Sequence, residues 1–322
     1  MSTSGVMDAR PGRDVIHRFA TNPLVGLRDL PFRCSDIWNA GVVLWDGKYV
    51  LLMTIETLIG GHAIYKAVSD DGEHFGNGQV DAEPFMTGAT DPARRPYESV
   101  GVRDARITPM DGECYITYVA EGDHGLRVGL ARTKDFSDPS ALEHLGYASQ
   151  VDVRNAAMFS RKISDRYAML KRPDPGGSIW LSYSRDLTYW GDESVVLTPR
   201  GGYWDATRTG PAAPPIEVEQ GWLLIYYGEK HTSAGPLVRL GAAVLDRDDP
   251  SRVLARSNIP ILSPRERYER IGDVPNVVYS CGALVEGDLL KIYYGASDSC
   301  ICLGTAPLSE IVNHCMHSQS EF

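Results

Sequence analysis

One pattern recurs five times along this 322-residue chain, and it restricts the possible folds more than any single motif. A turn carrying Asp or Gly leads into an aromatic-rich strand at Trp45–Met53, Met110–Val119, Ser164–Arg172, Glu219–Gly228 and Glu286–Gly295. After a loop comes a second strand of small and apolar residues, usually running into an Asp-containing turn, at Ala63–Phe75, Leu126–Asp138, Ser178–Trp190, Val238–Pro250 and Cys300–Glu310. Counted from Gly47 through Gly112, Asp165, Gly221 and Gly287, the steps are 65, 53, 56 and 66 residues. A unit of that size cannot bury both faces of its own sheet, so it must stack on its neighbours. Radial packing around an axis meets that need and leaves only short edges. The expectation is an all-β fold, a five-bladed β-propeller, with residues 1–322 forming one domain and the blades running from about 38 to 308. Helical periodicity is confined to Leu308–His314 and short pieces near Tyr268. A β-sandwich is the competing architecture, but it has no reason to repeat a unit of about 60 residues.

Composition narrows the function classes. The chain is 43% hydrophobic and 23% charged, ordinary for a globular protein, so disorder and coiled coil are excluded. With 32 basic and 42 acidic residues the net charge is −10, which gives no general attraction for nucleic acid or an anionic membrane surface. No apolar run reaches the ~18–20 residues of a membrane span. The stretch Met1–Phe19 shows neither the apolar segment nor the cleavage site of a signal peptide, so a reduced, cytoplasmic protein is expected. The six cysteines lack metal-ligand spacing, and Cys300 and Cys302 fall on one strand face as free thiols. The histidines show no ligand spacing and the serines no nucleophile elbow, so neither a metal nor another cofactor is expected.

In a propeller the innermost strands face a central channel, and polar residues that interrupt the apolar pattern there are the candidates for chemistry. In Gly101–Thr108, Asp104 sits between Arg103 and Arg106 among Val102, Ala105 and Ile107. It reads either as a structural Asp–Arg pair or as a desolvated general acid. Arg154 and Asn155, followed one strand later by Lys171 and Arg172, read either as ion pairs or as an oxyanion pocket. No P-loop or dinucleotide fingerprint accompanies them, so the anion does not belong to a nucleotide. Asp273, ahead of Val274-Pro275-Asn276, reads as a turn acceptor or a ligand for sugar hydroxyls. Asn39 and Glu56 are further polar candidates on the first unit. A carboxyl acid, a basic pocket and many aromatics at a channel mouth suit a carbohydrate.

The order of these motifs resembles the mannoside phosphorylases and mannosidases of glycoside hydrolase family 130. The resemblance runs from Asn22-Pro23 to about Leu308, through Gly101–Thr108, Lys171-Arg172-Pro173, Gly221–Gly228 and Gly272–Val278. It implies a five-bladed propeller in which Asp104 is the general acid, reaching the glycosidic oxygen through the mannosyl 3-hydroxyl. It implies a phosphate pocket of Arg154, Asn155, Lys171, Arg172 and Tyr227, the last standing where the family has His. Asn39, Glu56, Arg106 and Asp273 are the expected substrate-binding residues. The chain departs from the family pattern at Arg103, where Glu is common, at Val238, where Tyr is expected, and through Thr54–Gly61, which lacks the first-blade Arg. The expected partners are a β-mannoside oligosaccharide and inorganic phosphate as co-substrate, giving α-mannose 1-phosphate by inversion. The alternatives are a β-mannosidase, for which Glu56 is a candidate base, and a non-catalytic glycan-binding propeller. The terminal extensions are the candidate surfaces for a homo-oligomer.

Overall fold

Each of the five expected hairpins forms. The computed structural model describes residues 14–75 and 78–318, so most of the N-terminal stretch read above for a signal peptide lies outside the described residues. The first group comprises Asp36–Trp45, Lys48–Glu56 and His62–Ser69, with Val80 and Met86 bridging to its outer strand. The second comprises Gly101–Met110, Glu113–Gly122, Gly125–Thr133 and Glu143–Tyr147. The third is Val153–Met158, Tyr167–Pro173, Ile179–Ser184 and Gly191–Leu197. The fourth runs Arg208–Pro211, Gly221–Thr232, Gly235–Leu245 and Val253–Arg256, with Ile216–Val218 also on Gly221–Thr232. The fifth is Val278–Glu286, Leu289–Ala296 and Cys300–Pro307. Within every group consecutive strands pair antiparallel. A single parallel pair, His62 with Gly101, joins the first two groups into one seven-stranded sheet.

Turn chemistry explains the hairpins. Trp45 pairs with Lys48 across Asp46-Gly47, and Met110 with Glu113 across Asp111-Gly112. All four turn residues have φ between 48° and 76°. Two successive left-handed residues match the right-handed twist of the strands they connect, and Asp-Gly adopts them readily.

Burial on both faces sets the packing. Leu51 and Leu52 point to opposite sides of one strand, yet neither is exposed. Leu51 packs with Tyr293 and Leu303 of the fifth group, and Leu52 with Ile107 and Ile116 of the second. In the fourth group, Leu223 packs with Val278 and Ile292 of the fifth, and Leu224 with Leu170 and Leu181 of the third. Each sheet is thus wedged between two others. The first strand of the fifth group, Val278–Glu286, lies against that of the first, Asp36–Trp45. The two expected helical regions appear as Arg267–Arg270 and Leu308–Met316. Among the described residues no helix is long and apolar enough to cross a membrane.

The chain start completes the fifth group. His17–Arg18 and Val25–Gly26 pair antiparallel with Cys300–Pro307. Fully buried Glu269 accepts from Arg18 Nε at 2.7 Å, from the Tyr294 hydroxyl at 2.9 Å and from the backbone N–H of Arg265 and Glu266 at 2.7 and 2.9 Å. Removing one member of a buried charge pair leaves the other uncompensated, which costs about 3–5 kcal/mol. Arg18→Ala is expected to destabilise the protein by roughly that amount, read as a lower denaturation midpoint. An unchanged midpoint would show that this clasp does not hold the two ends of the chain together.

Candidate active site

Three inner strands carry a β-bulge at the same place, and each bulge holds a left-handed Asn or Asp. The pairing register shifts between Trp38 and Ala40, between Arg103 and Arg106, and between Arg154 and Ala157. The residues concerned are Asn39 at φ 44°, Asp104 at φ 59° and Asn155 at φ 59°, all buried. Asn and Asp are the non-glycine residues that tolerate this region best, and a bulge re-aims the side chain it carries. All three line one cavity of about 290 Å³, together with Trp38, Arg103, Arg154, Arg172, Arg208, Tyr227, Glu229, Tyr279 and Asp298.

On one side of this cavity is a carboxyl held by neutral donors. Asn39 Nδ2 donates to Asp104 Oδ1 at 2.8 Å, and the Asp104 N–H donates to Thr54 Oγ1 at 2.9 Å. Asn39 Oδ1 is buried beside Gly295 and has no hydrogen-bond partner among the described residues. On the other side Asn155 Oδ1 accepts from Arg172 Nε and from the Tyr227 hydroxyl, both at 3.2 Å, while Asn155 Nδ2 donates to the Tyr279 hydroxyl. Arg172 and Arg154 share one carboxylate: Asp174 Oδ1 accepts from Arg172 at 2.9 Å and Oδ2 from Arg154 at 2.6 Å. Burial pushes the Asp174 carboxyl up, but the two guanidinium groups outweigh it and hold it below the usual carboxylate range. Arg154 Nε is buried with no acceptor, an unmet donor on the cationic side. Arg208 adds a fourth guanidinium to the cavity, 3.5 Å from Glu229.

Four of the expected site residues sit elsewhere. Lys171 does not join the arginines, because successive residues of a strand face opposite sides. Its Nζ pairs with Glu193 and borders a separate cavity with Ser149 and Trp190. Arg106 is fully buried and cannot reach a substrate. Its guanidinium donates to Ala212 O at 2.7 Å, Asp104 O at 3.0 Å and the Tyr279 hydroxyl at 2.6 Å, tying the second group to the fourth and fifth. Glu56 ends its strand opposite Asp36 and His62 and does not line the cavity. Asp273 is exposed beside the rim, where its neighbour Val274 lines the wall. Sequence reasoning missed Arg208, which lies in a Gly- and Pro-rich connector, and Asp298, which looks like any turn carboxylate. It noted Arg103 only as a neighbour of Asp104.

The geometry agrees with what the comparisons find. Residues 19–317 match the family model for glycoside hydrolase family 130, described as β-1,4-mannooligosaccharide phosphorylase. The chain belongs to glycoside hydrolase family 130. A 1,2-β-oligomannan phosphorylase of Thermoanaerobacter sp. (strain X514) is 35% identical over 286 residues, 85% of this chain and 91% of the relative. A β-1,4-mannooligosaccharide phosphorylase of Ruminococcus albus is 28% identical across 94% of this chain and 91% of its own length. Among solved structures, the β-1,2-mannobiose phosphorylase of Listeria innocua in complex with β-1,2-mannobiose superposes with a TM-score of 0.84 at 28% identity, covering 93% of this chain and 99% of that one. A family-43 glycoside hydrolase shares the fold at a TM-score of 0.62 and 15% identity.

In this family-130 chain the cavity displaces the ionisation of Asp298 toward neutral pH. Burial pushes its carboxyl up to about 7, and the charges of Asp104, Asp273 and Asp36 add to the effect against the opposing pull of Arg103. An acid with a raised folded-state pKa holds a proton that the unfolded chain releases. Its contribution therefore favours the fold at low pH and is lost as pH rises from about 4 to about 7. Asp298→Asn is expected to remove that loss, raising Tm relative to wild type at pH 8 and much less at pH 5. Equal shifts at both pH values would contradict the assignment.

Proposed function

We propose that this chain is an inverting phosphorylase of β-mannosides, folded as one five-bladed propeller whose channel mouth holds the site. What supports the reading above all is that Asp104 and the arginine cluster line a single cavity, in a chain whose relatives include phosphorylases of β-1,2- and β-1,4-linked mannosides. A non-catalytic scaffold has no need of a buried carboxyl facing concentrated positive charge.

The roles follow from the contacts. Asn39 orients the Asp104 carboxyl. Asp104 gives a proton to the departing glycosidic oxygen, relayed by the mannosyl 3-hydroxyl as the family resemblance implies. Arg154, Arg172, Arg208, Asn155 and Tyr227 hold phosphate, whose oxygen attacks the anomeric carbon from the face opposite the leaving group. The C1–O bond to the acceptor sugar breaks as the C1–O–P bond forms, so a β-mannoside yields α-mannose 1-phosphate. A hydrolase needs a carboxylate base to activate water. Phosphate is already a nucleophile and needs positioning and charge compensation.

Incubation with β-1,2- and β-1,4-mannobiose should release α-mannose 1-phosphate only when phosphate is present. A positioned general acid contributes about 10²–10⁴-fold, so Asp104→Asn is expected to lower kcat by that order. Turnover that is undiminished without phosphate would overturn the proposal in favour of hydrolysis. Arg172→Lys keeps one charge and loses the planar fork, and is expected to raise KM for phosphate about tenfold or more with a smaller change in KM for the mannoside. Equal changes in both constants would remove Arg172 from the phosphate pocket.

A further inference from the structure

Tyr227, Glu229 and His231 alternate along the strand Gly221–Thr232 and so lie on one face of it. Tyr227 and Glu229 line the reaction cavity, and His231 continues the row to the solvent, its side chain 65% exposed. The mechanism above gives neither Glu229 nor His231 a role. The Glu229 carboxylate has two partners, which hold it unequally. His231 Nε2 donates to Oε1 at 2.6 Å, whereas Arg208 NH1 stands 3.5 Å from Oε2. A charge-assisted N–H···O bond measures about 2.7–2.9 Å, so Glu229 is bonded to the histidine and only loosely paired with the arginine. Arg154 and Arg172 differ, meeting Asp174 at 2.6 and 2.9 Å. Of the three phosphate-side arginines, Arg208 is therefore the one held least closely by its acid.

The backbone fixes this arrangement. Arg208 and Glu229 stand directly opposite in the ladder, the Thr207 N–H donates to Glu229 O at 2.9 Å, and the His231 N–H donates to Thr207 Oγ1 at 3.1 Å. Across the hairpin His231 pairs with Pro236, and Lys230 points to the opposite face, so neither adds charge to the imidazole. An ionised carboxylate only accepts, so the ring proton lies on Nε2 and a second proton adds to Nδ1. Imidazole takes up that charge between pH ~5 and ~8. Protonated His231 neutralises Glu229 and leaves Arg208 to an incoming anion. Neutral His231 leaves a carboxylate charge facing both Arg208 and the anion. The other charged groups lining the cavity are Arg103 and Asp104 from the second group, Arg154 and Arg172 from the third and Asp298 from the fifth, with the phenols of Tyr227 and Tyr279. Burial pushes Asp298 up to about 7, into the same range, so the part played by His231 is read against a His231 variant.

We propose that Glu229 and His231 are positioning residues for the phosphate site: the charge on His231 sets how far Glu229 withdraws Arg208 from phosphate, so that phosphate binds more tightly at low pH. The proposal rests on the phosphorylase reading above. The test measures KM for phosphate and for the mannoside at pH ~5.5 and ~8 in wild type, His231→Ala, Glu229→Gln and the double variant. Phosphate and Asp298 titrate in all four proteins, so the readout is the ratio of variant to wild type at each pH. An exposed charge pair is worth up to about fivefold. His231→Ala is therefore expected to raise KM for phosphate about two- to fivefold at pH ~5.5 and clearly less at pH ~8, with KM for the mannoside unmoved. In the Glu229→Gln background the same substitution is expected to have no effect. A ratio equal at both pH values, or an effect of His231→Ala that survives in Glu229→Gln, would overturn the positioning role and leave the phosphorylase reading intact. Mannoside cleavage that does not depend on phosphate would overturn both.

Discussion

The site depends on a backbone constraint: a left-handed residue on a bulge, repeated in the inner strands that carry Asn39, Asp104 and Asn155. A bulge takes backbone groups out of the strand ladder, and in a buried strand those groups must find other partners. At Asp104 they do. The N–H is received by Thr54 Oγ1 from the neighbouring group, and the carbonyl accepts from Arg106 NH1. Arg106 then donates onward to Ala212 O and to Tyr279, whose hydroxyl also accepts from Asn155. One fully buried guanidinium thus satisfies the bulge that aims the carboxyl and links it to the opposite side of the cavity. Its position two residues from Asp104 suggested a substrate contact, but its work is to hold the acid's backbone.

Much of this was legible in the sequence, and the parts that were not have physical reasons. The hairpin repeat was readable because Asp-Gly turns and strands buried on both faces leave strong local marks, as at Asp46-Gly47 and Leu51–Leu52. Asp104, Asn39 and Asn155 stood out as polar breaks in apolar strands. Lys171 was grouped with Arg172 on proximity and on the family resemblance of Lys171-Arg172-Pro173, although the alternation of a strand already places the two on opposite faces. Arg106 escaped for the converse reason: in a regular strand it would share a face with Asp104, and the bulge between Arg103 and Arg106 breaks that parity. Asp298 had no local sign. Its character comes from burial and from Asp104, Asp273 and Asp36, which only the packing of the sheets brings near it.

The charges of the cavity are balanced by acids at its wall. Each cation at the wall is paired with an acid: Arg154 and Arg172 share Asp174, Arg208 faces Glu229, and Arg103 pairs with Glu121 at 2.6 Å. These pairs let four guanidinium groups coexist in a small space without a ligand, where bare cations would repel one another and resist burial. They also keep the forks oriented, so little reorganisation is needed when an anion arrives. Asp104 and Asp298 bring two carboxyl groups into the same cavity. Burial and the Asp104 charge keep the Asp298 proton near neutral pH. The crowding that shifts Asp298 comes from the same packing that brings Asp104 into the cavity.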